Sequence, residues 1–201
     1  ARNAILKEKH VILVEGYMDF LKLYQSGIES ILALSGTALT DTQVTAISRM
    51  TQKIILFYDG DSAGGNAAIR AGWIIIKGGL EPFVIQPPKG VDPDEWIDKV
   101  GKENILLKIN SPDNDVKFHL NFNNSSMLRG ADLKNYIIDI AKELKGVEDG
   151  IIRNEMVRFL SQELKIEEAD LIRTIKTQKV INLGFAPSKK ASFNFTEVLG
   201  S

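Results

Sequence analysis

His10-Val11-Ile12-Leu13-Val14-Glu15 decides the fold: an unbroken apolar run that ends on a carboxylate. A strand covered on one face alternates apolar and polar residues, whereas a strand covered on both faces is apolar throughout. The run therefore predicts a central strand of a parallel sheet. Working outward, Met18–Ser26 reads as a helix, with Phe20, Leu21, Leu23 and Tyr24 apolar and Gly27 placed to end it. Ile31–Leu34 gives a second strand. Thr40-Asp41-Thr42-Gln43 has the capping-box form ahead of Val44, Ile47 and Met50 at helical spacing. Ile54–Tyr58 is a third strand, Gly65–Lys77 an Ala-rich helix closed by Gly78-Gly79, and Phe83–Ile85 a short fourth strand. Pro87-Pro88-Lys89-Gly90 forces a loop, and Asp92-Pro93-Asp94-Glu95 opens another helix, with Pro93 suited to its first turn. Strands alternating with helices predict an α/β domain with a mostly parallel central sheet over residues 1–110.

The character changes after Asn110. Ser111-Pro112-Asp113 reads as a turn, and no convincing strand follows. Leu133, Ile137, Ile140, Ala141 and Leu144 mark one amphipathic helix; Ile152, Met156, Phe159, Leu160 and Leu164 mark a second; Leu171–Ile181 is a third. Residues 111–183 are thus expected to form a small all-α helical subdomain, and residues 184–201 a linker or disordered tail.

Composition narrows the function. Cysteine is absent from the 201 residues, which excludes disulfides and thiolate zinc sites. His10 and His119 are far apart and in no metal-ligand spacing, so each reads as a surface or packing residue. No apolar run approaches the roughly 20 residues that cross a bilayer, and no secretory signal is visible, so cytoplasm is the expected compartment. Net charge is −1, with 12 Lys/Arg against 13 Asp/Glu in residues 1–110 and 13 of each in residues 111–201. Neutralising phosphates drives nucleic-acid affinity, so a strong binder needs a basic excess that this chain lacks. The start on Ala1 and the loop-like end at Gly200-Ser201 suggest a piece of a longer protein.

The acids carry the chemistry. Ligands of an open parallel sheet gather outside the carboxyl ends of its strands. Glu15 ends the first strand there, Asp59 and Asp61 follow the third, and Asp92 and Asp94 follow the fourth. Asp19 lies one helical turn beyond Glu15. Crowded carboxylates repel unless a cation binds, and hard oxygens suit Mg²⁺, which keeps water and substrate phosphates in its remaining positions. Gly60 is expected to provide a tight turn through unusual backbone angles, so that its two flanking acids converge. Each acid alone has an ordinary explanation as a turn former or helix start. Their order along one edge favours a metal-dependent phosphate site.

Four blocks then carry a resemblance: Val14-Glu15-Gly16-Tyr17-Met18-Asp19, Ser35-Gly36-Thr37-Ala38-Leu39-Thr40, Tyr58-Asp59-Gly60-Asp61-Ser62-Ala63-Gly64 and Asp92-Pro93-Asp94-Glu95. Over about residues 10–105 the chain resembles the Toprim domain of bacterial DNA primases, and the helical remainder is similar, more weakly, to the helical subdomain that follows it. The resemblance implies a nucleotidyltransferase, part of a catalytic core that makes short RNA primers on single-stranded DNA during replication. Glu15, Asp59 and Asp61 would then be catalytic, and Glu15, Asp19, Asp59, Asp61, Asp92 and Asp94 would be the metal-site acids. Asp92 and Asp94 would hold a further ion that contacts nucleotide phosphates. Mg²⁺ is the implied cofactor, with Mn²⁺ substituting and no zinc in this stretch. The implied partners are a single-stranded DNA template, ribonucleoside triphosphates and, through a C-terminal region outside these residues, the replicative helicase. The zinc-binding module and basic template-binding subdomain of such enzymes have no counterpart in these 201 residues, so the piece alone is expected to be inactive.

Rival readings differ at particular residues. A type IA topoisomerase has a longer acidic motif than Asp59-Gly60-Asp61-Ser62-Ala63 and needs a tyrosine nucleophile, for which none of the four tyrosines has an activating context. A receiver-like signalling domain needs a lysine at the end of a later strand, and none is suitably placed. A scaffold whose helices recruit partners is the non-enzymatic alternative.

Overall fold

In the computed structural model, residues 1–178 are described. A five-stranded sheet has the order β2-β1-β3-β4-β5, with β1 (His10–Val14), β2 (Ile31–Ala33), β3 (Lys53–Leu56) and β4 (Glu81–Val84) all parallel. β1 and β3 occupy the middle, and their apolar residues divide between two faces by the period of two that a strand imposes. Val11, Leu13, Ile54 and Leu56 pack beneath α1 (Arg2–Glu8), α3 (Asp41–Ser48) and α4 (Ser62–Lys77), through Ile5, Val44, Ile47, Ala68, Ala71 and Ile75. Ile12, Val14, Ile55 and Phe57 pack against α2 (Tyr17–Gln25), α5 (Pro93–Val100) and α6 (Lys102–Asn110), through Leu23, Ile97, Ile105 and Ile109. Val11 to Val14 are all fully buried, as the unbroken run requires.

A third core lies beyond the sheet. Trp73 and Ile76 of α4 and Val116 and Leu120 of α7 (Asp115–Phe122) join Ile140, Leu144, Leu160, Leu164 and Leu171 of α8 (Gly130–Lys145), α9 (Gly150–Leu164) and α10 (Glu168–Thr177). The helix α4 thus faces the sheet on one side and the bundle on the other, and small residues let its neighbours approach closely. The chain is an α/β fold with a mostly parallel sheet, followed by an all-helical region.

Several elements differ from the sequence reading. β5 (Asp113–Asn114) pairs antiparallel with β4 in the stretch expected to be a turn. It is two exposed polar residues, held by the neighbouring backbone and not by an apolar pattern, so periodicity could not find it. Asn114 then caps α7, its Oδ1 accepting from Val116 N (3.1 Å) and Lys117 N (3.3 Å). The helix α1 was also not anticipated. Ser30 Oγ, fully buried, donates to Glu8 Oε2 (2.7 Å) and lies 3.1 Å from His10 Nε2, tying α1 to the amino end of the sheet. The expected tail at 184–201 and the end of the expected Leu171–Ile181 helix lie outside the described residues.

Candidate metal centre

Three loops meet at the carboxyl edge. Glu15 stands one residue past β1. Asp59 and Asp61 follow β3, and Asp92 and Asp94 open α5 on the far side of the loop after β4. Gly60 is what brings the second and third loops together. Its N–H donates to Val91 O (3.0 Å) and its carbonyl accepts from Gly90 N (3.1 Å), so the two loops are zipped backbone to backbone. A methyl group at position 60 would stand 2.1 Å from Pro88 O. The expectation of unusual backbone angles at Gly60 is corrected: its φ is not positive, and the glycine is needed for close approach.

The acids occupy unequal positions. Asp61 is the N-cap of α4, and its Oδ1 accepts from Gly64 N at 2.7 Å. Asp92 is the N-cap of α5 without a side-chain hydrogen bond, leaving its exposed carboxylate free. Asp94 Oδ1 accepts from Glu95 N (2.8 Å). Asp19 is buried at 7% exposure, its Oδ2 accepting from Gly16 N (3.2 Å) and its Oδ1 from Asp94 N (3.3 Å). Glu15 is half-buried, and its Oε1 is buried without a hydrogen-bond partner.

Electrostatics ties these groups into one cluster. Burial, then repulsion from Asp92, Glu15, Asp19 and Asp61, pushes Asp59 up to about 6. Burial, then Asp61 and Asp19, raises Glu15, with the cationic Arg70 of α4 opposing. Burial also raises Asp19, with the hydrogen bond from Asp94 opposing most strongly. Burial and the Glu15 charge raise Tyr58, whose hydroxyl is buried and unpartnered. These are carboxylates held near one another without enough positive charge, which is the state a cation relieves. Among the described residues, no group of three His, Asp or Glu side chains is arranged to hold one ion by itself. The donor set still fits Mg²⁺, which is commonly held by one or two carboxylates and completed by water and substrate phosphates. A cavity of about 380 Å³ opens beside Asp61, lined also by Gly60, Ser62, Gln86, Pro87, Lys89 and Phe122.

The sequence reading missed Arg70, Tyr58 and the Gln86–Lys89 wall. Arg70 follows Ser62 by about two helical turns, a spacing that only acquires meaning once α4 is known to start at the acidic edge.

A sequence profile described as Toprim-like matches residues 12–97, so the sheet and its acidic edge form a Toprim-like domain. The chain is 31% identical over 171 residues to the DNA primase of Staphylococcus epidermidis, covering 83% of this chain and 28% of that protein. It is 42% identical over 111 residues to the DNA primase of Aquifex aeolicus, covering 55% of this chain and 22% of that one. The crystal structure of the Aquifex aeolicus primase zinc-binding and RNA polymerase domains superposes with a TM-score of 0.70 and 32% identity, over 86% of this chain and 41% of that one. A DnaG primase catalytic domain bound to single-stranded DNA gives a TM-score of 0.68 and 27% identity, over 83% and 56%. The chain is therefore similar, over more than four-fifths of its length, to the Toprim domain and following helical region of DnaG-type primase catalytic cores. It spans less than a third of the length of the two primase sequences it matches. Use of divalent metal ions is general in Toprim primases. Among the described residues no helix is long and apolar enough to cross a membrane.

Proposed function

We propose that this chain is the metal-binding part of a bacterial DNA primase, which makes short RNA primers on a single-stranded DNA template from ribonucleoside triphosphates. The meeting of the Glu15, Asp59–Asp61 and Asp92–Asp94 loops at one sheet edge, with Glu15 Oε1 buried and unpartnered, is the observation that carries this reading. Mg²⁺, with Mn²⁺ substituting, is the cofactor. Glu15, Asp59, Asp61, Asp92 and Asp94 hold the ions, with Asp19 of the same acidic set behind them. When bound, the ions neutralise triphosphate charge and favour attack by a 3′-hydroxyl and departure of pyrophosphate.

The chain's own residues set the stage for that transfer. Gly60 fixes the spacing between the Asp59–Asp61 and Asp92–Asp94 loops. Half-burial of Glu15 and Asp59 thins the water around their carboxylates, so each interacts more strongly with a cation than an exposed acid does. Asp59, raised to about 6, is also a group that can take up a proton near neutral pH. The near-neutral charge of both halves supplies no grip on a template, so template binding and any helicase contact rest on other parts of the protein. We propose the division of the described chain into a metal-binding unit of residues 1–110 and a helical unit that begins at residue 111. The helical unit lends β5 to the sheet of the first.

Thermal unfolding with and without Mn²⁺ tests the site. An ion at 100 times its Kd is expected to stabilise the chain by about 2.7 kcal/mol. Asp59→Asn with Asp61→Asn is expected to raise the metal-free midpoint and to abolish the shift. In a full-length primase the same pair is expected to remove primer synthesis. A double variant that kept the whole Mn²⁺ shift would refute the site.

A further inference from the structure

We infer that Asp19 is a positioning residue and not a metal ligand: its carboxylate joins the Glu15 loop to the Asp92–Asp94 loop. This deepens the metal-site reading and rests on it. Both Asp19 oxygens are already engaged, Oδ2 by the Gly16 amide (3.2 Å) and Oδ1 by the Asp94 amide (3.3 Å). Those amides stand at the N-termini of two different helices, α2 and α5, and the second is 75 residues away along the chain. Gly16 directly follows Glu15, and Asp94 is itself one of the acids. One buried side chain therefore sets the separation of two groups that must face the same ions.

The two helices are held side by side below this point. Leu23 of α2 and Ile97 of α5 share one apolar cluster, and Lys22 Nζ meets Asp98 Oδ2 at 2.7 Å on the surface. Unlike Asp92, whose carboxylate is exposed and uncommitted, Asp19 is 7% exposed and would have to break two hydrogen bonds to turn toward an ion. A carboxylate that accepts from both helix ends also compensates orphan amides at N-termini whose N-cap residues, Gly16 and Asp92, make no side-chain hydrogen bond.

Gly16 offers a variant that disturbs the strut without removing any carboxylate. A methyl group there would lie 2.7 Å from Asp19 Oδ2, and the φ of −93° accepts alanine, so Gly16→Ala displaces the carboxylate and nothing else nearby. Asp19→Asn keeps the shape but turns one acceptor into a donor that faces an N–H.

The experiment is Mn²⁺ titration of the 201-residue chain by calorimetry, for wild type, Asp19→Asn, Gly16→Ala and the double variant, with amide hydrogen exchange at Gly16 and Asp94. Residues that orient metal ligands are commonly worth 10–100-fold in affinity, so each single variant is expected to bind Mn²⁺ at least about tenfold more weakly. The double variant should be little worse than either single one, because both break the same link. Both amides should lose protection in Asp19→Asn. If Asp19→Asn weakens Mn²⁺ binding while the Gly16 and Asp94 amides keep their protection, Asp19 acts as a ligand and the inference fails. Unchanged affinity in both single variants, with a lowered Tm, would reduce Asp19 to a purely structural cap. No Mn²⁺ binding by wild type would overturn the metal reading and the positioning role with it, while the exchange data would still decide whether the link exists.

Discussion

Two regions of this molecule hold carboxylates far above their ordinary range; burial leads in both, but only one adds repulsion from neighbouring acids. At the acidic edge, Asp59 is half-exposed and is raised by burial together with four other carboxylates. At the joint between sheet and bundle, Asp115 is 2% exposed and is pushed up to about 8 by burial alone. Its carboxylate lies against the α4 backbone at Gly72, and His119, one turn on, packs edge-to-face with Trp73 (5.9 Å) and Tyr136 (5.6 Å). Asp115 Oδ1, His119 Nδ1 and the Tyr136 hydroxyl are all buried without partners. The comparison teaches that a raised pKa does not by itself mark a site. Repulsion among several acids open to solvent invites a cation, whereas an acid sealed alone simply keeps its proton.

Two glycines break the comparison with the largest effect. At the edge, Gly60→Ala drives a methyl group into backbone, which cannot move without unzipping the loops. It is expected to destabilise by about 3 kcal/mol, at the upper end of overpacking. At the joint, Gly72→Ala meets the Asp115 carboxylate at 2.1 Å. Alanine's better helix propensity offsets part of that clash by about 1 kcal/mol, so a smaller loss is expected. Urea unfolding of both variants measures the difference, and a larger loss at Gly72 would mean that the joint is the more rigid region.

Stability against pH separates the two regions next. Between the unfolded Asp value near 4 and the native value of about 8, native Asp115 holds a proton that the unfolded chain has released. Its contribution is therefore complete below pH ~4 and is lost as pH rises toward 8. His119 is lowered to about 4 by burial, so between 4 and its unfolded 6.5 the unfolded chain holds the extra proton and stability rises with pH. The two slopes oppose each other up to pH ~6.5, above which Asp115 acts alone. Over the remaining 1.5 or so units one proton is worth about 2 kcal/mol, so stability should fall by up to that much from pH 6.5 to 8. Asp115→Asn should flatten this fall and leave any Mn²⁺ shift intact. Denaturation midpoints across that range check it, and an unchanged slope in the variant would remove Asp115 as the cause.

The smallest expected effect is at Glu15. Glu15→Gln removes a charge repelled by Asp61 and Asp19, so the metal-free chain should gain slightly, by under ~1 kcal/mol given the partial exposure. A loss of stability in the thermal midpoint would mean that Arg70, not the neighbouring acids, dominates the charge of Glu15.

The sequence by itself determined the sheet and the edge. The apolar run at 10–14 could only be buried on both faces, and strand-helix alternation then placed Glu15, Asp59, Asp61, Asp92 and Asp94 at one end of parallel strands. Those are consequences of local pattern, which a linear chain displays directly. What the tertiary structure decided depends on which distant segments touch. Periodicity cannot show that Asp19 accepts from an amide 75 residues away, or that Gly60 is needed for the Pro88 carbonyl and not for its own torsion angles. Nor can it show that two polar residues at 113–114 join a sheet, since only the backbone of β4 holds them there. Hydrogen bonding and close approach between remote loops leave no spacing signal, because the partners are set by the packed core beneath them.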